Sequence, residues 1–555
     1  MTLSEVRTNA IDDLRQVREE APELLVAVIL GALLRIYNLG DESIWLDEAY
    51  SIVVAQESSW RYLLFEHSGV DPHPPLHYLL TKLWIVIFNN SEFSTRFLSV
   101  LLSLAAIPVV YYLGRHLFDR FVGGVAAVLM ALSPFQIWYA QEVRMYALFV
   151  LLTAASFYAL VRLLDTWSRD RLIAYAVISA LLGYTHVYGL FVLGTQGLFV
   201  LWRAYRVDTP RETPLAVSFR QAVVAFGAIG TLLLPWLLAL VIRLNESTSR
   251  IAWISAPDLS AFRRAVTAVS FGYTSDAGYQ LTPPVIWILL LAAGCVFLAI
   301  TRPSFRHFVA TEAPDGESLE LPEHVRPAVL LLALWAVVPV VAAWLVSVYV
   351  TPLFLLRPLI AVSPAVMLLF AVGARSFAGL PLPHRPILPV AVALLLVSGM
   401  LMPLPSYYGN DHKEQWEDAA MYVEEGVTPG DIVILAPTYI DRPFLYYFDD
   451  EDVTVISLMP GEDPGEYLGP DDDPDNVYLV LRGVWGEERD RLISETGSAT
   501  GVALDQQSAS FIGVDVYRYH VLTFELNASA YSDEPLSDNF TRPDLSGTIE
   551  DNESD

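Results

Sequence analysis

The sequence predicts a polytopic all-α membrane protein of about eleven transmembrane helices, with an interfacial helix in its first outer loop and a small soluble α/β domain at the C-terminal end. Three observations predict this class. Hydrophobic residues fill 54% of the 555 positions, and the mean hydropathy is +0.43, too apolar for a soluble chain of this length. The apolar residues come in runs long enough to cross a bilayer as helices, roughly 17 to 25 residues each. The charge is segregated as well: of a net −28, the stretch from Ser406 onward carries 34 acidic residues against 7 basic ones.

Taken in order, residues 1–22 form a mixed-charge cytoplasmic segment, with the first span acting as its own uncleaved anchor. Residues 23–405 form the transmembrane domain, whose strongest apolar stretches are 23–39, 94–114, 121–139, 145–164, 171–185, 188–203, 219–242, 283–301, 327–349, 353–374 and 386–403. The first outer loop, 40–93, holds a short apolar helix from Leu76 to Phe88, opened by Pro74-Pro75. Proline suits a first helical turn, and a helix this short cannot cross a hydrocarbon core about 30 Å thick. It is expected to lie at the interface or to re-enter.

Charge bias supports that choice. If the short helix does not cross, Arg115, Arg120, Arg162, Arg169, Arg171, Arg203, Arg206, Arg211, Arg302, Arg306, Arg375 and Arg385 share one side, the cytoplasmic one by the positive-inside rule. The N-terminus is then inside and the C-terminus outside. Arg263 and Arg264 depart from the rule, in the outer loop from Arg243 to Pro283.

Residues 406–527 are expected to form an extracytoplasmic acidic α/β domain, with a helix over 414–425 and strands over 431–436, 453–458, 477–485 and 514–524. Residues 528–555 are expected to be a disordered acidic tail. An acidic, lysine-poor surface fits a salt-loving organism, since carboxylates hold hydration and like charge keeps the domain soluble. It argues against nucleic acid as a partner. The lone Cys295 lies inside an apolar run and cannot form a disulfide within the chain. Five of the ten asparagines, Asn89, Asn245, Asn527, Asn539 and Asn552, stand in Asn-x-Ser/Thr acceptors that this topology puts outside.

With sides assigned, the polar residues gather on the outer face. Asp47 and Glu48, in Trp45-Leu46-Asp47-Glu48-Ala49-Tyr50, sit where the first span meets water, and an ionisable pair at a bilayer margin is a functional candidate. Asp71, His73 and His77 follow in the first outer loop. Gln141, Glu142, Arg144 and Tyr146 lie between the third and fourth spans, Tyr184, Thr185, His186 and Tyr188 in a short outer turn, and Arg357 at the entry to a late span. An arginine at a span end without an obligate carboxylate partner suits a phosphate. His73 and His77, four apart, could instead join Asp47 or Glu48 around a metal, although no cysteine or glutamate stands at matching spacing. A divalent cation is therefore allowed but not required. The plainer readings are an acidic loop, helix-end charges and an interfacial histidine in an aromatic belt.

The order Trp-Leu-Asp-Glu-Ala, His-Pro-Pro-Leu, Ser-Glu-Phe-Ser-Thr-Arg-Phe, Ser-Pro-Phe-Gln-Ile-Trp-Tyr-Ala-Gln-Glu-Val-Arg-Met-Tyr and Thr-His-Val-Tyr-Gly resembles the GT-C glycosyltransferases. Within them it is most similar to the dolichyl-phosphate-mannose protein mannosyltransferase and aminoarabinose transferase group. The resemblance covers about residues 20 to 405 and is densest from 40 to 200. It implies a GT-C fold, a polyprenyl- or dolichyl-phosphate sugar donor, an extracytoplasmic site, and a glycan, lipid or protein acceptor. It implies that Asp47 is the general base and that Glu48 orients the acceptor or a neighbouring cation. It further implies that Arg144 holds the lipid phosphate and that His73 and His186 lie near the donor, with Asp71, Glu142 and Tyr146 among the substrate-binding residues. Arg357 matches a late Arg-Tyr element but lacks its tyrosine. One base and a phosphate leaving group would invert the anomeric centre.

The acceptor is not specified by the resemblance. The acidic C-terminal segment does not resemble the beta-trefoil insertions of eukaryotic protein mannosyltransferases, which favours a cell-surface glycan over direct protein O-mannosylation. Two other readings remain. A transporter or flippase of lipid-linked sugars would carry internal repeats and a midplane site, and a hydrolase of lipid phosphates would use similar residues with water as acceptor.

Overall fold

A computed structural model describes residues 21–67, 73–206, 215–242, 254–272, 294, 325–379, 387–468, 474–500 and 508–521. Asp71, the expected span 283–301 apart from Gly294, the acidic tail and all sequons but Asn89 lie outside these residues.

The chain enters through α1 (Pro22–Ile36). Around the first loop it forms α2 (Leu46–Glu57), α3 (Trp60–Phe65) and α4 (Leu76–Ile87). The short helix α4 is the one the sequence predicts. Its ends are tied down by Leu76 N–H donating to Tyr184 O (3.1 Å) and by Trp84 Nε1 donating to Ser94 O (2.8 Å). Helices α5 (Glu92–Leu117) and α6 (Arg120–Leu132) then run antiparallel, each started by a side-chain cap. Ser91 accepts from Ser94 N–H and Asp119 from Val122 N–H, satisfying donors that a helix start leaves open. Their contact depends on glycine, since a Cβ on Gly123 would stand 2.6 Å from Tyr111 O and 3.0 Å from Arg115 N.

Helix α6 bends by 56° into α7 (Pro134–Ala140), and a short loop leads to α8 (Tyr146–Asp165). Next come α9 (Arg169–Gly183), α10 (Gly189–Arg206), α11 (Phe219–Ile242) and α12 (Ser260–Phe271). After them follow α13 (Val325–Tyr349), a 3-10 turn (Arg357–Val362) running into α14 (Ser363–Ser376), and α15 (Leu388–Leu401) with α16 (Leu404–Tyr408). One continuous apolar core joins these helices, with Phe157 stacked on Trp335 at 3.9 Å near its middle.

Among the described residues, six helices are long and apolar enough to cross a membrane, or seven if the bent pair α6–α7 is one span. Of the other expected spans, 283–301 lies outside the described residues apart from Gly294, α10 carries Arg203 and Arg206 at its end, and helices α1 and α9 have 15 residues each, short of the ~20 that cross a bilayer upright. Their outward faces are nevertheless apolar, with Leu33 64% exposed on α1.

Beyond α16 lies a five-stranded sheet of order β2-β1-β3-β5-β4. It comprises β1 (Ile432–Ala436), β2 (Thr454–Ser457), β3 (Asn476–Leu481), β4 (Ser508–Phe511) and β5 (Val514–His520). Strands β1, β2 and β3 are parallel, with Ile434 opposite Leu479, and β5 and β4 add antiparallel. Both faces of β1 and β3 are buried, which explains their unbroken apolar runs. Helix α17 (Trp416–Glu424) covers one face and α19 (Glu487–Ala499) the other. Between β1 and β2 a 3-10 turn (Thr438–Ile440) leads into a short helix, α18 (Asp441–Leu445). Strand β4 was not expected, and β3 stops at Leu481, four residues short of the prediction, because Gly483 at φ +67° turns the chain away.

Candidate active site

The sheet unit sits against the first loop. Tyr447 OH donates to Glu92 and accepts from Ile44 N–H (2.6 Å), Tyr446 OH donates to Asn90 O (2.6 Å), and His412 N–H donates to Glu42 Oε1 (2.6 Å). Ile44, Ala49, Ile52 and Val143 fill the contact with Tyr446 and Tyr447 packed against them. Helix α2 is thereby enclosed by α4, the sheet unit and the loop between α7 and α8.

Asp47 and Glu48 occupy the first turn of α2, where carboxylates complement the helix dipole. Adjacent helical residues point about 100° apart, and the two meet different surroundings. Glu48 is fully buried. Its Oε1 accepts from Arg96 Nε (2.9 Å) and Val143 N–H (2.9 Å), and its Oε2 accepts from Arg96 Nη2 (2.7 Å) and Lys413 Nζ (3.2 Å). Arg96 spends its remaining N–H groups on the carbonyls of Leu39 (3.2 Å), Glu42 (2.7 Å) and Ser43 (2.9 Å). Burial opposes charge on Glu48, but Arg96 and Lys413 outweigh it and hold the carboxyl well below its ordinary pKa. Glu48 thus has four donors and no exposed surface, and its contacts tie the start of α2 to α5, to the loop before α8 and to Lys413.

Asp47 faces the open side, with its side chain 29% exposed. Arg357 Nη1 donates to its Oδ2, and the Arg357 guanidinium lies over the Trp45 ring at 4.8 Å. Burial raises the Asp47 pKa, but the charges of Arg144, Arg357 and His73 more than reverse this, so it is ionised at neutral pH.

Arg144 comes from a loop fixed at every residue. Gln141 Nε2 donates to Arg35 O (3.1 Å) and Tyr37 O (2.8 Å), and Gln141 O accepts from Lys413 Nζ (2.9 Å). Val143 N–H is held by Glu48. Arg144 itself is 5% exposed, and its Nη1 reaches Asp47 O (3.2 Å) and Ser51 Oγ (3.3 Å). Its Nε has no hydrogen-bond partner among the described residues. Neither does Oε2 of the buried Glu142, whose Oε1 accepts from Trp138 Nε1 (2.6 Å). Burial pushes the Glu142 carboxyl up to about 7, with Lys413 and Arg357 pulling against it.

Histidine and tyrosine complete the cluster. His186 stacks on Phe149 (5.1 Å), lies near Tyr146 (6.0 Å), and approaches His73 at a ring distance of 6.2 Å. Its Nδ1 accepts from Tyr188 N–H (3.1 Å), which leaves the proton on Nε2. Burial, with His73 and Arg144, pulls its pKa well below the ordinary value, so the ring is neutral. Tyr146 packs on Tyr139 at 4.7 Å. The structure thus brings Asp47, His73, Glu142, Arg144, Tyr146, His186 and Arg357 into one cluster, with Glu48 buried beside it. Histidine 73 turns toward His186, and among the described residues no group of three or more His, Cys, Asp or Glu gathers as a metal site.

Arg96, Lys413 and Ser51 stand in or beside the cluster without having been singled out as site residues, although Arg96 is the arginine of the Ser-Glu-Phe-Ser-Thr-Arg-Phe motif. For lysine a signal exists. The chain has only two lysines, Lys82 and Lys413, and both grip α2. Lys413 binds Glu48 in the first turn, while Lys82 Nζ binds Ala55 O (2.9 Å) and Gln56 O (3.2 Å) in the last, where cations suit the dipole.

A family model described as dolichyl-phosphate-mannose-protein mannosyltransferase matches residues 72–236. That stretch includes His73, Glu142, Arg144, Tyr146 and His186 and leaves out Asp47 and Arg357. No curated protein matches the chain in sequence. In structure, the chain is similar to ArnT from Cupriavidus metallidurans bound to undecaprenyl phosphate, with a TM-score of 0.52 at 14% identity over 90% of this chain and 98% of that one. The apo form of that protein matches equally well, with a TM-score of 0.52 at 14% identity over 89% and 97%. The chain is also similar to the oligosaccharyltransferase of Archaeoglobus fulgidus, with a TM-score of 0.50 at 12% identity over 90% and 73%.

Proposed function

We infer, from a segment matched by the mannosyltransferase family model and a fold similar to that of membrane glycosyltransferases, a GT-C transferase that moves a mannose-like sugar from a polyprenyl- or dolichyl-phosphate to an extracytoplasmic acceptor. The observation that carries this reading is the grouping of one partly exposed carboxylate, Asp47, with two arginines, one of which keeps a free buried N–H. A phosphodiester would satisfy that N–H and draw Arg357 toward its own charge. As the arginines turn to the phosphate, Asp47 loses the charges that hold its pKa down and becomes a better base.

In this reading the acceptor hydroxyl attacks the anomeric carbon and gives its proton to Asp47. The carbon–oxygen bond to phosphate breaks, and the lipid phosphate leaves on Arg144 and Arg357 with inversion at carbon. Arg144 acts from a buried position, where charge stabilisation is strongest. Neutral His186 offers its Nε2–H to the phosphate or to a sugar hydroxyl. Glu142, half neutral at pH 7, can hydrogen-bond a sugar hydroxyl without repelling the phosphate. The polar site lies at the end of the bundle opposite the Glu23–Arg120 and Asp119–Arg375 pairs. With those arginines cytoplasmic, the site and the sheet unit are outside.

The test follows labelled sugar from a polyprenyl-phosphate donor into an envelope acceptor fraction, with purified wild type and Asp47→Asn. Transfer by wild type, lost in the variant while donor binding persists, supports the assignment. Equal transfer by both removes Asp47 from the chemistry. Free sugar without acceptor points to a hydrolase, and donor crossing vesicles without transfer points to a transporter.

A further inference from the structure

The sheet unit carries a second cavity that the transfer reaction as described does not use. Its strand order places β2 and β3 on opposite sides of β1, so the chain reverses direction across the sheet between β1 and β3. In open parallel sheets the crevice outside the carboxyl ends of the strands at such a switch point is where ligands bind. A cavity of about 290 Å³ lies there, formed by Pro437 just after β1, Met459 after β2 and Gly483 after β3.

Its walls are unusual for so acidic a surface. Trp485 is 75% exposed, Met459 61% and Tyr439 46%. Trp485 stands between Gly483 at φ +67° and Gly486 at φ +59°, backbone conformations that favour glycine and hold the indole away from the core. Leaving a tryptophan in water forgoes several kcal/mol of burial, and an exposed apolar cluster of this kind marks a contact surface.

Electrostatics narrow the ligand. Among the described lining residues only Glu488 is charged, and it is paired with Arg491 at 2.7 Å. The nearby Arg482 is taken by Glu414, with its guanidinium over the Tyr439 ring at 5.8 Å. With no cation among the described lining residues and a domain dense in carboxylates, an anionic ligand is disfavoured. Flat aromatic faces beside a few polar groups suit a neutral sugar, whose C–H faces stack on rings while its hydroxyls reach water or Glu488.

The cavity's rim is linked through the chain to the helix that carries Asp47. Tyr439 on its rim stands in the 3-10 turn that leads into α18, and from α18 Arg442 lies over the ring of Tyr50 on α2 at 4.5 Å. We propose that this cleft is an acceptor subsite that holds a neutral saccharide unit of the glycan being extended. The proposal rests on the transferase reading for its biological role but not for its ligand.

Saturation-transfer NMR on the full-length protein in detergent tests it, with mannobiose, maltose and lactose as neutral probes and glucose 6-phosphate as the anionic one. At least one neutral disaccharide should bind to wild type and to Asp47→Asn. Binding should weaken roughly ten-fold in Trp485→Ala, recover in Trp485→Phe, and be absent for glucose 6-phosphate. In transfer assays Trp485→Ala should raise the acceptor KM by a similar factor at unchanged kcat. Trp485 is largely exposed, so its truncation leaves the sheet packing intact. No binding of any neutral probe, equal binding by Trp485→Ala, or preference for the phosphosugar overturns the subsite while leaving the transferase standing. Saccharide binding by a protein that transfers no sugar keeps the cleft's ligand and overturns the acceptor role.

Discussion

Arg96→Met tests whether the buried latch under Asp47 holds α2 in place. Arg96 and Glu48 form a two-bond pair at 2.9 and 2.7 Å, with side chains 1% and 0% exposed. Removing one partner of such a pair costs about 3–5 kcal/mol, because the other charge stays buried. Here Glu48 keeps Lys413 and the Val143 N–H, so the low end, about 3 kcal/mol, is expected. Expressed as local opening, that is roughly a 100-fold faster amide exchange over α2 and the Gln141–Arg144 loop. Hydrogen-exchange mass spectrometry on the detergent-solubilised protein reads it peptide by peptide, with the sheet strands as an internal reference that should not move. Lys413→Met combined with Arg96→Met leaves Glu48 with neither cation and should accelerate exchange by more than the product of the two single effects, a non-additive result. Acceleration under three-fold in Arg96→Met, or strictly additive effects in the double variant, would refute the latch.

Two further outcomes follow. Glu142, raised to about 7 by burial, is favoured neutral in the folded state. Its contribution is present below its unfolded value near 4.5 and is lost as pH rises through about 7. Glu142→Gln cannot ionise and should therefore be more stable than wild type at pH 8 by up to about 3 kcal/mol, with no advantage at pH 4. Thermal inactivation scanned across pH checks the sign, and a pH-independent difference would reject it. Gly123→Ala should destabilise by about 1–3 kcal/mol through overpacking, since backbone atoms of α5 block the new methyl. Gly227→Ala, which meets nothing within 4 Å, is the control in the same melting assay.

Where local chemistry decides, the sequence was readable. Pro74-Pro75 and an apolar run too short to span announce α4, and the buried parallel strands show as unbroken Val, Ile and Leu. Asp47, Arg144, His186 and Arg357 stand out in the sequence at helix ends, and the fold brings them into one cluster. The different fates of Asp47 and Glu48 were not legible. Neighbouring carboxylates in a first turn look alike until the partners of each are known. Arg96 and Lys413 lie 48 and 365 residues from Glu48, and no local pattern encodes such a pairing. Strand β4, Ser-Ala-Ser-Phe, is too short and too polar to stand out, and it forms because β5 offers an edge.

The scarcity of lysine has a practical side. Most proteins scatter side-chain amines over their surface, so amine-directed reagents modify them at random. This chain offers two, one at each end of the helix that carries Asp47, with Lys413 9% exposed and bonded to Glu48 and Lys82 more open over Trp60. Apart from the α-amine, acylating labels, aldehyde fixatives and amine-coupled sensor surfaces would therefore act beside the helix that carries Asp47. With the α-amine blocked, the same selectivity makes an amine-reactive fluorophore at Lys82 a reporter on the neighbouring helix α4 without any engineered cysteine.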